Sequence, residues 1–336
     1  MPPKKDAKKD KKADPDAPDP KQVIGAFTKD YAAQSLALEV EPLKLNTGDG
    51  SEVFRKILVH PMEGTATCSP LQAKALVGAL ANYAHLLTLA LWSANLQEEG
   101  TKGIANYLGK NRTLLTLELT DCGINEMGCK SLSDALEKNT VLTRLCLDFN
   151  QIGNRGAQLL EGLSFNRALA NLELSYCGLT AAAGPLLADG LMKCPTLKTL
   201  ELKGNELGAE GVLAVLGANK AKPGLFHLGL ADTSISREPD VQTLLLDCMA
   251  TTPMCCEYDL MGNMLGDQFC YEILKLARVH MHMIDIRVCA TSAIDPLLYK
   301  QLLDQCGANK KEWTKAQKAL KKKGGKGGKK GGKKKK

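Results

Sequence analysis

Carboxylates recur along this chain at a nearly constant spacing. Glu118, Glu173, Glu201, Asp259 and Asp285 each sit between two apolar residues of an L-x-L-like triplet, and Ala90, Cys146 and Gly229 fill that place in three further triplets. Asp121, Asp148 and Asp232 follow just behind, with Trp92, Phe149 and Tyr176 in adjacent positions. Paired carboxylates can do acid/base chemistry where burial separates their pKa values, whereas on an open surface they attract a basic partner. Aromatic neighbours add the anchors that carry binding energy. Only Lys203 and Arg287 oppose this charge, so the residues predict a self-repelling acidic surface.

Which chemistry applies depends on the elements that carry the triplets. Eight segments align, starting at Leu89, Leu117, Leu145, Leu172, Leu200, Leu228, Tyr258 and Ile284. The period is roughly 28 residues, the length of one small supersecondary unit. Steps to Leu172 and Ile284 are a little short and the step to Tyr258 is a little long. Each segment begins with period two and then shifts to helical spacing, as between Met127 and Asn139, where Cys129, Leu132, Ala135 and Leu136 share a face. Each unit is therefore one strand and one helix. Gly100, Gly128, Gly156 and Gly211 fall near the helix starts, for tight backbone approach or for permissive dihedrals. One strand and one helix cannot bury their apolar faces alone, so the units must stack into a parallel sheet backed by helices. Helices are about 10 Å wide and strands about 4.8 Å apart, so the stack curves with its strands inside. The predicted fold is an α/β solenoid of eight to nine repeats, a curved arc with parallel strands on the concave face and helices on the convex face. The intervening residues of each triplet then line an open, solvated face that gives no burial to shift their pKa values, and no catalytic residue is expected.

A second column follows the triplets, with Cys122, Asn150, Cys177, Asn205, Thr233, Asn263 and Cys289 alternating at one place in the turn. Together with the period, this column resembles leucine-rich repeat proteins of the ribonuclease-inhibitor type over residues 86 to about 290, with Pro70 to His85 as the helix of a degenerate first repeat. The resemblance implies a protein partner held against the concave face. The pattern departs at Ala181 to Pro185, at Arg237 to Asp240 and at Thr251 to Cys256, and its register is least constrained beyond Tyr258. Asn suits backbone hydrogen bonding at such a turn and Cys suits a small buried group with a weak donor. Cys122, Cys177 and Cys289 are therefore expected to be structural and to resist alkylation.

The chain has 336 residues, 44% of them hydrophobic but only 4% aromatic, which suits a core of small aliphatic side chains. Its net charge of +7 conceals a division. Residues 1–21 carry seven Lys and five Asp and residues 310–336 carry fourteen Lys and one Glu, which leaves 23 Lys plus Arg against 31 Asp plus Glu between them. The body is acidic and the end basic. No apolar run is long enough to span a bilayer and no signal-peptide h-region appears, so a soluble, cytoplasmic protein with twelve reduced Cys is expected. There is no C-x-x-C pair, adjacent Cys255 and Cys256 suit one zinc poorly, and His280 and His282 are read as structural, so no metal or cofactor is expected. Phosphate-loop, zinc-protease and nucleophile-elbow motifs are missing, and the chain is read as a non-enzyme.

The domain reading is a disordered charged segment at 1–21, an N-terminal cap and degenerate first repeat at 22–85, the repeat array at 86–290, a helical cap at 291–323 and a disordered Lys/Gly tail at 324–336. Within the cap, Asp295-Pro296 starts a helix that stops at Gly307, and a second helix runs from Lys311 to Lys323 around Trp313. Lys321, Lys322, Lys323, Lys326, Lys329, Lys330, Lys333, Lys334, Lys335 and Lys336 form a polycation suited to salt-sensitive binding of acidic polymers. The leading reading is a protein-interaction scaffold within a larger complex. Its partner face comprises Trp92, Glu118, Asp121, Asp148, Phe149, Glu173, Tyr176, Glu201, Asp232, Asp259 and Asp285, and its tail engages an acidic polymer such as tubulin. A repeat array with Lys-rich ends resembles repeat proteins of cilia and flagella, which implies the axoneme. The alternatives are nucleic-acid association through the tail and regulation of an enzyme in the manner of ribonuclease inhibitor.

Overall fold

The leucines of the triplets are buried, and their strands form one parallel sheet. A computed structural model describes residues 19–49, 51–61, 67–235, 238–289 and 294–324. The expectations for residues 1–18 and for Lys326, Lys329, Lys330, Lys333, Lys334, Lys335 and Lys336 lie outside the described residues. The sheet has nine strands in sequence order: β1 (Lys56–Val59), β2 (Thr88–Trp92), β3 (Thr116–Thr120), β4 (Arg144–Cys146), β5 (Asn171–Glu173), β6 (Thr199–Glu201), β7 (His227–Gly229), β8 (Glu257–Asp259) and β9 (Asp285–Arg287). Leu89, Leu117, Leu145, Leu172, Leu200 and Leu228 pair side by side across β2 to β7 and are inaccessible to solvent.

Helices return the chain between strands: α1 (Pro20–Ala37), α2 (Pro70–Leu80), α3 (Gln97–Lys110), α4 (Glu126–Lys138), α5 (Gly153–Gly156), α6 (Gly184–Lys193), α7 (Gly208–Ala221), α8 (Pro239–Thr251), α9 (Asp267–Val279) and α10 (Pro296–Gly324). Consecutive helices pack on one another, so the convex layer repeats with the sheet. After α5 the chain continues as a 3₁₀ helix, Ala157–Ser164. This repeat, from Leu145 to Leu172, is one position shorter than those beside it. A 3₁₀ helix rises about 2.0 Å per residue against 1.5 Å for an α-helix, which lets the shorter repeat span the same layer. The helix-start glycines serve close approach: a Cβ on Gly128 would lie 2.8 Å from Ile124 and one on Gly156 would lie 2.6 Å from Ile152.

Aromatic side chains close the first end. Phe27 and Tyr31 of α1 are buried with Phe54 and Tyr83, whose rings stack at 4.1 Å, and the Tyr83 hydroxyl donates to the Phe54 carbonyl at 2.7 Å.

Four differences from the sequence reading follow. The described chain is already helical at Pro20, where the Asp19 side chain accepts from the Lys21 amide at 3.1 Å, although residues 1–21 were expected to be disordered. Proline at the first helical position with an Asp cap explains the early start. The first repeat does have a strand, β1, but its sequence KILV lacks the L-x-L alternation. At the far end α10 runs unbroken through Gly307 to Gly324, so Lys321, Lys322 and Lys323 lie in its last turn. Gly costs about 1 kcal/mol inside a helix, less than burial of Leu302, Cys306 and Asn309 on its neighbours returns. Finally, Tyr258 pairs with Ile286 and Asp259 with Arg287. The segment I-D-I-R-V alternates throughout, so the triplet can be read at Ile284 or Ile286, and the sheet takes the later one, which restores the regular step.

Candidate functional site

The final register difference moves two of the expected site residues. Arg287, not Asp285, stands in the column of Glu118, Glu173, Glu201 and Asp259. Asp285 stands two positions back, level with Arg144, His227 and Glu257. Alternation sends residues two apart to the same face of a sheet, so this column also looks onto the concave side.

That second column supplies cations that the triplet reading missed. Arg144 donates through Nε and Nη2 to the Glu173 carboxylate at 2.7 and 2.8 Å, and its Nη1 reaches Glu118. His227 lies between Glu201, at 3.2 Å, and Glu257, at 3.3 Å. Arg287 meets Asp285 at 3.2 Å and Asp259 at 3.7 Å, and Lys310 of α10 comes within 3.8 Å of Asp285. The expected self-repelling surface is therefore a set of cross-linked ion clusters. The sequence does show Arg144 and His227, each two positions before the centre of a triplet that lacks a carboxylate, Cys146 and Gly229.

Burial would depress the His227 pKa, but hydrogen bonds and charge from Glu201 and then Glu257 outweigh it and raise the value. The native state then holds this proton more tightly than the unfolded chain, whose His titrates near pH 6.5. Its contribution to stability is complete below that pH and disappears as pH rises through the native value. Urea unfolding should give a higher midpoint at pH 6 than at pH 8, with the difference reduced in the His227→Asn chain.

Asp121, Asp148 and Asp232 have no ion-pair partner among the described residues. Asp121 accepts from the Ser93 hydroxyl at 2.9 Å and Asp148 from the Ser175 amide at 2.7 Å. Burial raises the Asp148 pKa against that amide bond. Asp121, Phe149, Tyr176 and Asp232 share one turn position with left-handed φ of 53, 61, 54 and 53°, where Gly204 and Gly262 also occur. Phe149 and Tyr176 stack at 4.8 Å with planes 13° apart, Lys203 Nζ stands 5.9 Å from the Tyr176 ring, and Phe149 remains 53% exposed. Trp92, 42% exposed, belongs to the neighbouring column with Asp148 and Lys203. Gly204 leaves room for the Tyr176 ring, which a Cβ there would overlap. Sulfur of Cys146 and oxygens of Asp148 and Glu173 also come within 4.8 Å of one another, but Arg144 already claims Glu173.

The turn column behind this face is an amide ladder. Asn150 Oδ1 accepts from the Cys122 and Ile124 amides at 2.9 and 3.0 Å, and its Nδ2 donates to the Leu119 and Leu147 carbonyls at 2.7 Å each. Asn205 repeats this with Cys177, Leu179, Leu174 and Leu202, and Asn263 with Thr233, Ile235, Leu230 and Leu260. The Cys122 thiol donates to the Leu91 carbonyl at 3.1 Å and that of Cys177 to Leu147 at 3.3 Å. Burial pushes Cys122 up to about 12 and raises Cys177 further. Cys289 departs from the expectation: the later register removes it from the column, and it is only half-buried. Iodoacetamide should label Cys289 first in the native protein, while Cys122 and Cys177 should react only as fast as the chain unfolds. Mass mapping of the labelled peptides would read this directly.

A second ladder, which the sequence reading missed, caps the helices. Asn139 and Asn166 each accept from two following amides and donate to carbonyls of the preceding repeat, as at 2.8 Å to Leu108 and 2.9 Å to Leu136. An Asn three positions before a leucine, at Asn111, Asn139 and Asn166, was its visible sign.

No described helix is long and apolar enough to cross a membrane. Residues 110–133, 138–160 and 193–216 match a leucine rich repeat family model. The chain is similar to ribonuclease inhibitor of Sus scrofa, 41% identical over 139 residues, and to the human NACHT, LRR and PYD domains-containing protein 13, 39% identical over 98 residues. Those matches span 37% and 28% of this chain but only 27% and 9% of the relatives' lengths. An internalin structure from Listeria monocytogenes aligns at 15% identity and a TM-score of 0.37, over 85% of this chain and 96% of the other. With repeats matched in sequence and nine parallel strands each followed by a helical return, the chain is a leucine-rich repeat solenoid, similar over part of its length to ribonuclease inhibitor.

Proposed function

We propose that this protein is a non-catalytic scaffold whose concave face holds a basic protein segment while its Lys-rich end engages an acidic polymer of the kind microtubules display, as in the ciliary axoneme. The stacked pair Phe149 and Tyr176 carries the first half of this reading. Both residues hold left-handed backbone that Gly204 and Gly262 adopt without a side-chain clash, at a cost of about 1 kcal/mol each. Packing within the chain leaves Phe149 half-exposed, so a bound partner gives the exposed ring its use. Asp121 and Asp232 belong to the same turn column as the rings and Asp148 directly precedes Phe149; none of the three forms an ion pair among the described residues, and together they complement a cationic side chain, which can also stack on the aromatic faces. Leucine-rich repeat proteins generally mediate protein–protein interaction, and similarity to ribonuclease inhibitor supports the same use here.

The charge division supports the second half, because fourteen Lys against one Glu at residues 310–336 give a salt-sensitive polycation. Microtubule co-sedimentation of the full chain and of a chain ending at Gly324 tests it. The cut belongs at Gly324, because a cut at Gly307 would divide α10. The full chain should pellet in low salt, and the shortened chain should bind about tenfold more weakly or less. Equal pelleting by both would remove the tail from the mechanism.

A further inference from the structure

Two helix-to-strand connections in adjacent repeats carry an unusual set of soft donors: Pro-Met-Cys-Cys at 253–256 and His-Met-His-Met at 280–283. Parallel pairing of Glu257 with Asp285 and the bond from the Ile284 amide to the Cys256 carbonyl align these connections. Counting back three positions on each side places Met254 level with His282. Met254 and Met281 are exposed, and the rings of His280 and His282 are half-buried with centroids 5.4 Å apart.

We propose that His280, His282 and the Met254 thioether form a site for a soft monovalent d¹⁰ cation, Cu(I) by class. His282 Nε2 pairs with the Met249 carbonyl at 2.8 Å, which requires the proton on that nitrogen and leaves the Nδ1 lone pair free. Metal-bound histidines are commonly oriented in this way by a carbonyl on the second nitrogen. Two nitrogens on one ion stand at most about 4 Å apart, a separation that rings with these centroids can meet.

The connection is held in place before any ion arrives. Asn309 of α10 donates to the carbonyls of Ala277, His280 and Met283 at 2.8, 3.2 and 3.0 Å. Ligand type sets the choice of ion. Among the described residues the one group of three or more His, Cys, Asp or Glu donors within mutual reach is Cys146, Asp148 and Glu173, so no carboxylate or thiolate joins the His pair. Cys256 points its thiol at the Pro253 and Met254 carbonyls instead. A neutral imidazole and thioether set compensates a divalent charge poorly and suits a soft monovalent ion.

The test uses Ag(I), a redox-inert probe for Cu(I), with the full-length Cys289→Ser chain to remove the most accessible thiol. Ring resonances of the five histidines would be followed by NMR in His-labelled protein. One equivalent of Ag(I) should move His280 and His282 and leave His60, His85 and His227 in place. Met254→Leu, a change at an exposed side chain, should weaken the response at least tenfold, and His280→Ala should abolish it. Absence of ring shifts, shifts spread over all five histidines, or an equal response to Zn(II) would overturn the assignment. An unchanged affinity in Met254→Leu would overturn the thioether's part in it.

Discussion

Asn150→Ala should lower the unfolding free energy by about 4 kcal/mol or more, a loss outside the range of most single substitutions. One side chain satisfies four backbone groups, the amides of Cys122 and Ile124 and the carbonyls of Leu119 and Leu147, and all lie where water does not reach. Each such group left unpaired costs about 1–3 kcal/mol, and alanine replaces none of the bonds. The loss falls on the interface between two repeats, which is the term that holds a solenoid together. Urea unfolding followed by circular dichroism should show a lower midpoint at an unchanged slope. Cys122→Ala removes one weak donor and should cost about 1 kcal/mol. A loss below about 1 kcal/mol for Asn150→Ala would show that the turn satisfies itself in another way.

Gly162→Val should be comparably severe, about 3 kcal/mol or more, because the 3₁₀ segment lies directly on α4. A Cβ at Gly162 would overlap the Ser133 carbonyl, and the Gly162 amide donates to the Ser133 hydroxyl at 3.0 Å, so neither backbone can retreat without breaking a bond. Overpacking at a backbone contact offers no rotamer escape. Two glycines serve as controls. Gly153 has φ of +62° with open space around it, so Gly153→Ala should cost only the dihedral penalty of about 1 kcal/mol. Gly217 lies inside α7 with nothing near it, so Gly217→Ala should stabilise by roughly 0.5–1 kcal/mol. Thermal melts of the three variants would rank them, and a Gly162→Val chain as stable as Gly153→Ala would show that the α4 contact can yield.

The regular period made most of the sheet legible, since eight segments located eight of nine strands. The exception, β1, has no repeated leucine pair because it lies at the sheet's edge beneath the aromatic cap, where KILV suffices. At β9 the period and the local alternation disagreed, and the period was the better guide because stacking fixes the step while the alternating run fits two registers. The acidic face was half legible. Carboxylates inside the triplets stood out, but Arg144 and His227 lie one alternation earlier on the same face, and pairing across strands joins side chains 26 to 30 positions apart. The stack of Phe149 on Tyr176 needed the left-handed turn, which no composition rule assigns to aromatic residues. Helix α10 shows the remaining gap, because a glycine marks a stop only when no neighbour holds the next turn in place.

The alternation of Asn with Cys or Thr in the turn ladder imposes a parity on the molecule. Asn150 serves the amides of the Cys122 turn and Asn205 those of the Cys177 turn, so each Cys turn depends on the Asn that follows it. Removing the single repeat that carries Asn150 would set Cys122 against Cys177 and leave two amides without an acceptor. Removing two consecutive repeats keeps the order intact. The heritable unit of length in this solenoid is therefore a pair of repeats, about 56 residues, and natural or designed variants of altered length should differ by even numbers of them.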